Sequence, residues 1–229
     1  MDMQICSYFV LNWQQKACDV TMGGFARQSL FDDLDPSSID GLSYRDNYIT
    51  PAEEAAIIAA ADRQPWSHEL LRRRQWYGWG YDDTVLGRGE DYHPEPMPDW
   101  LKPLARRLHA DGYFPVAPDR ALINEYHPGQ GIGAHRDRDA DHIRTVAIVS
   151  LGRAITMDFT RLGHATRSHY LYPRSLVIMQ GEARDKWFHG ITGRKSDRVG
   201  GLILPRGRRL SVTFRSKEDI QPPPFTQTS

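Results

Sequence analysis

No stretch of this chain approaches the roughly 20 consecutive apolar residues that a membrane-crossing helix requires. The start, "MDMQICSYFVLNW", carries an acid and no base ahead of its apolar patch, which argues against a secretory leader and makes the cytoplasm the expected compartment. Cysteine is scarce. Cys6 and Cys18, with eleven residues between them, form neither a zinc spacing nor a disulfide framework and read as free thiols. Net charge is absent too, since 29 basic and 29 acidic residues balance. No global field therefore draws the chain to a polyanion, and tight duplex binding through charge alone is not expected. Lysine supplies only five of the 29 basic residues; the other 24 are arginine. Arginine grips carboxylates and phosphates in bidentate fashion, so the excess suits an anionic ligand, although codon bias in a GC-rich genome would give the same count.

What is present is the composition of a soluble globular protein, 40% hydrophobic and 25% charged over 229 residues. That length allows one sizeable domain or two small ones. Residues 1–45 read as an irregular N-terminal extension, with "DDLDPSSIDG" as an exposed acidic linker. In "TPAEEAAIIAAADR", Thr50 is placed as N-cap, Pro51 in the first turn and Glu53 to complete a capping box. A second helix is expected from about Pro98 to Asp111, with Leu101, Leu104, Ala105 and Leu108 as its buried stripe and Gly112 at its end. From residue 120 the pattern changes to short strands: "ALINEYH", "RTVAIVSLG", "AITMDFT", "SHYLYP", "RSLVIMQG" and "RRLSVTFRS". Close spacing of such strands suggests a sandwich, jelly roll or barrel. The class is therefore α+β, with helices at 46–119 packed on a β-core at 120–217 and a C-terminal tail at 218–229.

The segment "NEYHPGQGIGAHRDRD" raises the question of a metal. Residues two apart on a strand share a face, so His135 and Asp137 can ligate one ion. His189, 54 residues downstream of His135, is the best candidate to complete a two-histidine, one-carboxylate facial triad of the kind that binds ferrous iron. The last strand adds to this. In "RRLSVTFR", Arg209, Ser211, Thr213 and Arg215 share one face, and the two arginine Cα atoms lie about 20 Å apart. Long side chains leaning inward from both could bracket a short dicarboxylate. Asn124 and Tyr126, also two apart, could hydrogen-bond the same anion. Each piece has an ordinary alternative: arginines on an outer strand usually face solvent, and a lone His-x-Asp often marks a surface turn. His127, His142, His164 and His169 are read as surface histidines.

Taken together, "NEYHPGQGIGAHRDRD", "VSLG", "GEARDKWFHGI" and "RRLSVTFR" make residues 120–215 resemble the AlkB family of Fe(II)- and 2-oxoglutarate-dependent dioxygenases. "RRRQWYGWGYD" at 72–82 resembles that family's substrate-lid strands. The resemblance implies a double-stranded β-helix, one form of jelly roll, beneath a nucleotide-recognition lid. It implies iron held by His135, Asp137 and His189 as the catalytic centre. Arg209, helped by Tyr126, would hold the distal carboxylate of 2-oxoglutarate, and Arg215 and Asn124 its C1 end. Asp139 would touch the damaged base, and Arg184 would line the pocket.

The implied chemistry, with 2-oxoglutarate and O2 as cosubstrates, is oxidative removal of N-methyl groups from nucleic-acid bases, with DNA repair as the leading role. Succinate, CO2 and formaldehyde are the products. A base must leave its stack to be reached, so aromatic side chains are expected around it. Trp76, Tyr77, Trp79 and Trp187 are candidates, Tyr77 first because "YG" matches best. Arg72, Arg73 and Arg74 could reach the phosphate backbone. Gln180 stands where some relatives carry an aromatic wall. A monomer acting on alkylated DNA or RNA without a membrane is the expected form. The same chemistry on tRNA or protein, or a non-catalytic jelly-roll binding module, remain alternatives.

Overall fold

The computed structural model describes residues 39–78, 95–137 and 144–216. In chain order, β1 (Leu42–Arg45) leads into α1 (Pro51–Asp62), β2 (Arg74–Tyr77) and α2 (Lys102–Ala110). β3 (Arg120–Tyr126) and β4 (Ile132–His135) flank the glycine-containing turn at 127–131. β5 (Val146–Gly152), β6 (Ile155–Thr160), β7 (Arg167–Leu171) and β8 (Leu176–Met179) follow. A single turn of helix, α3 (Gly181–Asp185), precedes β9 (Phe188–Ile191). The hairpin β10 (Ser196–Val199) and β11 (Leu202–Pro205) then leads to β12 (Arg209–Arg215).

Among the described residues two larger antiparallel sheets result, one of six strands in the order β1-β8-β5-β12-β3-β2 and one of four in the order β4-β9-β6-β7, with β10-β11 as a separate two-stranded sheet. This is the jelly-roll double-stranded β-helix that the resemblance implied, with few helices. Alternation along each strand sorts its side chains between two cores. Leu210, Val212 and Phe214 of β12 join Ile123, Val149, Leu151, Leu176 and Ile178 against α1 and α2. Ile148, Met157, Phe159, Leu171, Val177 and Met179 fill the space between the sheets. The other face of β12 (Arg209, Ser211, Thr213) is equally buried but polar. That polar stretch, enclosed between two apolar sheets, is where a site is built.

The helices have local causes. Thr50 caps α1 with a complete capping box: its hydroxyl accepts from the Glu53 backbone N–H at 3.2 Å, and the Glu53 carboxylate accepts from the Thr50 N–H at 2.8 Å. Glu53 also pairs with Arg107 of α2, tying the two helices together. α2 begins at Lys102, later than the expected Pro98, because Pro98 to Leu101 close a turn in which the Leu101 N–H donates to the Pro98 carbonyl at 2.9 Å.

Two further expectations are corrected. Leu42–Arg45, read as irregular, form an edge strand paired with β8. His169, read as a surface histidine, is buried and stacked on Tyr44 with ring centroids 5.4 Å apart. The β10–β11 hairpin was not anticipated from the sequence.

Candidate active site

The two histidines, distant in sequence, meet because β4 and β9 pair antiparallel with His135 directly opposite His189. Their ring centroids lie 4.4 Å apart. Asp137 follows β4 by two residues, and one ligating atom from each of the three side chains lies within 4.8 Å of the others. His135 Nδ1 is 2.9 Å from the Gly133 carbonyl. A carbonyl can only accept, so Nδ1 donates there and Nε2 is the ring nitrogen placed to ligate. Burial pushes the His189 pKa down to about 4, against the pull of Asp137, so this imidazole is neutral at physiological pH. Burial alone would push Asp137 up; the Arg215 guanidinium, followed by the two imidazoles, outweighs it and holds the carboxyl below its usual range.

The donor set fits a divalent cation. Asp137 Oδ1 accepts from Arg215, while Oδ2 is buried without a hydrogen-bond partner. An ionised oxygen left in that condition is costly unless something positive meets it. The two imidazoles beside it complete a set suited to iron, with positions left open for other ligands.

Against this cluster lies a narrow cavity lined by Arg72, Asn124, Tyr126, Arg209, Ser211, Thr213 and Arg215 along with the three clustered residues. Register explains the convergence: Arg209 stands opposite Tyr126 and Ser211 opposite Asn124 across the β12–β3 ladder. Arg209 is 1% exposed. One terminal nitrogen donates to Ser150 Oγ at 2.9 Å, while Nε and Nη1 have no hydrogen-bond partner. Its guanidinium carbon sits 5.3 Å from the Tyr126 ring centre. Burial lowers its pKa to about 10, still cationic at neutral pH. A buried cation with two idle donors marks a place built for an anion. The cavity's three guanidiniums face one carboxylate, Asp137, a surplus of two positive charges that matches a dicarboxylate.

His135 and Asp137 also border a wider depression of about 380 Å³ shared with Arg136, Arg184, Asp185 and Phe188. Arg184 is buried and donates to Asp185 at 3.0 Å. Arg136 donates to the Asp185 carbonyl at 2.7 Å and lies 5.1 Å from the centre of the half-exposed Phe188 ring. Arg136 and Phe188 were missed by sequence reasoning, since a charged turn residue and an aromatic before a histidine have many ordinary uses.

Other expected contacts fall elsewhere. Tyr77, favoured from the sequence, lies on the face of β2 turned toward the helices, buried edge-on against Trp100 at 5.8 Å. β2 pairs with β3 so that Arg74 opposes Asn124 and Trp76 opposes Leu122, which puts Trp76 on the cavity side and Tyr77 on the helix side. Trp187 is buried in the core between the sheets. Gln180 ties Thr145 at 2.9 Å and the Tyr113 carbonyl at 3.3 Å. The arginine triplet is committed within the protein. Arg72 enters the cavity and donates to Asn124 Oδ1 at 2.8 Å, Arg73 pairs with the buried Glu125, and Arg74 pairs with Glu69 at 3.2 Å. Asp139, Trp79 and His142 lie outside the described residues. His127 and His164 take no part in the cluster.

A fold of this kind with this cluster defines an Fe(II)- and 2-oxoglutarate-dependent dioxygenase, and the comparisons agree. The description "2OG-Fe(II) oxygenase superfamily" matches residues 41–215. The chain belongs to that superfamily and, within it, to the AlkB family. It is 33% identical over 203 residues to the tRNA (carboxymethyluridine(34)-5-O)-methyltransferase alkbh8 of Xenopus tropicalis, covering 80% of this chain and 32% of that protein. It thus spans about a third of that relative's length. It is 29% identical over 202 residues to the probable RNA/DNA demethylase ALKBH6 of Danio rerio, covering 75% of this chain and 83% of that one. Among solved structures, OsALKBH1 shares the fold with a TM-score of 0.56 at 18% identity, covering 77% of this chain and 98% of that one. The enzyme uses Fe(II), with 2-oxoglutarate and O2 as cosubstrates. Among the described residues no helix is long and apolar enough to cross a membrane.

Proposed function

We propose that this dioxygenase oxidatively demethylates N-alkylated bases in nucleic acid, with repair of alkylated DNA as its leading role. The observation that carries the reading is a pair of spaces that share His135 and Asp137 in their lining: a narrow cationic cavity and a wider depression. The depression offers an exposed aromatic ring beside two guanidiniums, which suits a flat base and the phosphate attached to it. The name of the ALKBH6 relative points to the same substrate class.

In this reading His135, Asp137 and His189 hold the iron. Bound there with 2-oxoglutarate and O2, iron supplies the oxidising chemistry that hydroxylates an N-methyl group, which then leaves as formaldehyde. The chain's own contribution is placement. Arg209 holds the distal carboxylate of 2-oxoglutarate from its buried position, with Tyr126 beside it. Asn124 and Arg215 receive the C1 end, and Arg215 also fixes Asp137 through Oδ1, leaving Oδ2 for the metal. Apolar walls from Ile148 and Met157 keep water from the cosubstrate. Arg184 and Trp76 serve the base, and Asp139, two residues after Asp137 in the sequence, joins them. A cytoplasmic, monomeric enzyme is part of the proposal.

A second reading, the same chemistry on tRNA, is favoured by the name of the ALKBH8 relative. Formaldehyde release from matched panels of methylated DNA and RNA oligonucleotides tests both. Release from methylated DNA supports the first, release confined to tRNA sequences the second, and release from neither removes the nucleic-acid assignment.

A further inference from the structure

Behind the cavity, on the helix-facing side of the large sheet, sits an ionic network that contributes nothing to the cavity lining. Glu125 is fully buried. Its carboxylate accepts from Arg73 Nε at 2.5 Å and Nη2 at 2.8 Å, and from Arg208 Nε at 2.7 Å. Arg208 in turn donates to Asp62 at the end of α1, at 3.0 Å through Nη1. The Arg73 guanidinium stacks on Trp66 at 4.9 Å, and its carbonyl accepts from the Glu125 N–H at 3.0 Å. Two carboxylates face two guanidiniums, and the His127 ring lies 3.3 Å from Glu125 at the edge of the network.

Its members are sequence neighbours of cavity residues. Arg73 adjoins Arg72, Glu125 lies between Asn124 and Tyr126, and Arg208 adjoins Arg209. Alternation along β3 turns Glu125 to the rear and Asn124 and Tyr126 to the cavity. Arg73 and Arg208, just ahead of β2 and β12, bond to Glu125 while Arg72 and Arg209 line the cavity. One buried carboxylate thus locks the three segments that carry Arg72, Asn124, Tyr126 and Arg209. Arg72 depends on this most, because it lies in the segment just before β2, the outermost strand of the sheet, and reaches the cavity from that edge.

We infer that Glu125 is a positioning residue for the dicarboxylate cosubstrate, setting the spacing of Arg72, Tyr126 and Arg209 from behind the sheet through Arg73 and Arg208. The inference rests on the cavity being the 2-oxoglutarate site. Its physical basis is that a long charged contact is sensitive to placement: displacing a supporting group by about 1 Å costs on the order of a hundredfold in well-assembled sites.

The test is 2-oxoglutarate affinity, measured by calorimetry on Mn(II)-loaded protein without O2, beside kcat, KM and thermal stability of the iron enzyme. Glu125→Gln keeps the shape and removes the charge. It should weaken 2-oxoglutarate binding and raise its KM by roughly five- to twentyfold while kcat moves by less than about threefold. Glu125→Asp should recover part of that loss by restoring the charge. Arg73→Gln, at the half-exposed end of the network, gives a milder rise and serves where Glu125→Gln does not fold. Leu104→Ala, in the helix core, should lower stability without changing the KM. Unchanged affinity in both Glu125→Gln and Arg73→Gln overturns the inference, as does an equal rise in Leu104→Ala. Arg209→Ala separates the two levels: if it leaves 2-oxoglutarate binding intact, the cavity assignment itself falls, and the role of Glu125 with it.

Discussion

The two sheets face one another across the cavity, but they are secured in different ways. In the large sheet, β12 pairs with β3 at seven successive positions and with β5 on its other side, and helices cover its back. In the small sheet, β4 pairs with β9 at two positions separated by an irregularity, and most of β4 is accessible to solvent. The residues proposed to hold the cosubstrate sit on the first and two of the three metal-clustered residues on the second. The difference suits the task. A cosubstrate that is the same in every turnover can be met by a fixed wall, whereas the metal must remain open to a bulky substrate.

Experiments can break that contrast. The largest effect is expected from the small sheet: His189→Ala or Asp137→Ala should reduce 2-oxoglutarate turnover to background, because two donors hold iron poorly, and succinate formation reads this directly. Next comes Arg209→Ala on the large sheet. Losing a charge-assisted contact worth roughly 1.5–3 kcal/mol should raise the KM for 2-oxoglutarate about ten- to a hundredfold, with iron binding spared. If iron affinity falls in parallel, the two sheets are not independent.

Gly190→Ala probes the ladder itself. A Cβ there would lie 2.9 Å from the Ala134 backbone, so β4 must shift and carry His135 with it. We expect a stability loss of roughly 1–3 kcal/mol and weaker iron binding, with 2-oxoglutarate KM little changed, by denaturant titration and metal titration.

The smallest effect is electrostatic. Burial would raise the pKa of Glu125, but Arg73 and Arg208 hold it at about 2 against an ordinary 4.5. The carboxylate's contribution to stability is therefore complete above pH 4.5 and lost as pH falls toward 2. The stability gap between the native chain and Glu125→Gln should be constant near neutrality and close across that window in acid denaturation.

Much of this arrangement was legible in the residues. Strict alternation in "RLSVTFR" placed Arg209 and Arg215 on one face, and His-x-Asp spacing with a later histidine named the cluster. What failed was phase. Tyr77 and Trp76 are adjacent, and only the register of β2 against β3 decides which one takes the cavity-side face of the sheet and which the helix side; a slip of one residue exchanges them. The arginine triplet is divided as well: Arg72 enters the cavity, Arg73 joins the rear network, and Arg74 pairs with Glu69. Three consecutive arginines carry no mark of that division. His169 was misplaced because its burial depends on Tyr44, a partner 125 residues away on a strand the sequence did not reveal.

The His135–His189 ladder pair has a consequence for the life of the protein. An ion bound there joins β4 to β9 as a rivet would, and ligand binding to the folded state alone stabilises it in proportion to occupancy. The same atom that performs the oxidation would then also guard the weakest seam against proteases, so iron scarcity would shorten the enzyme's survival as well as stop its work.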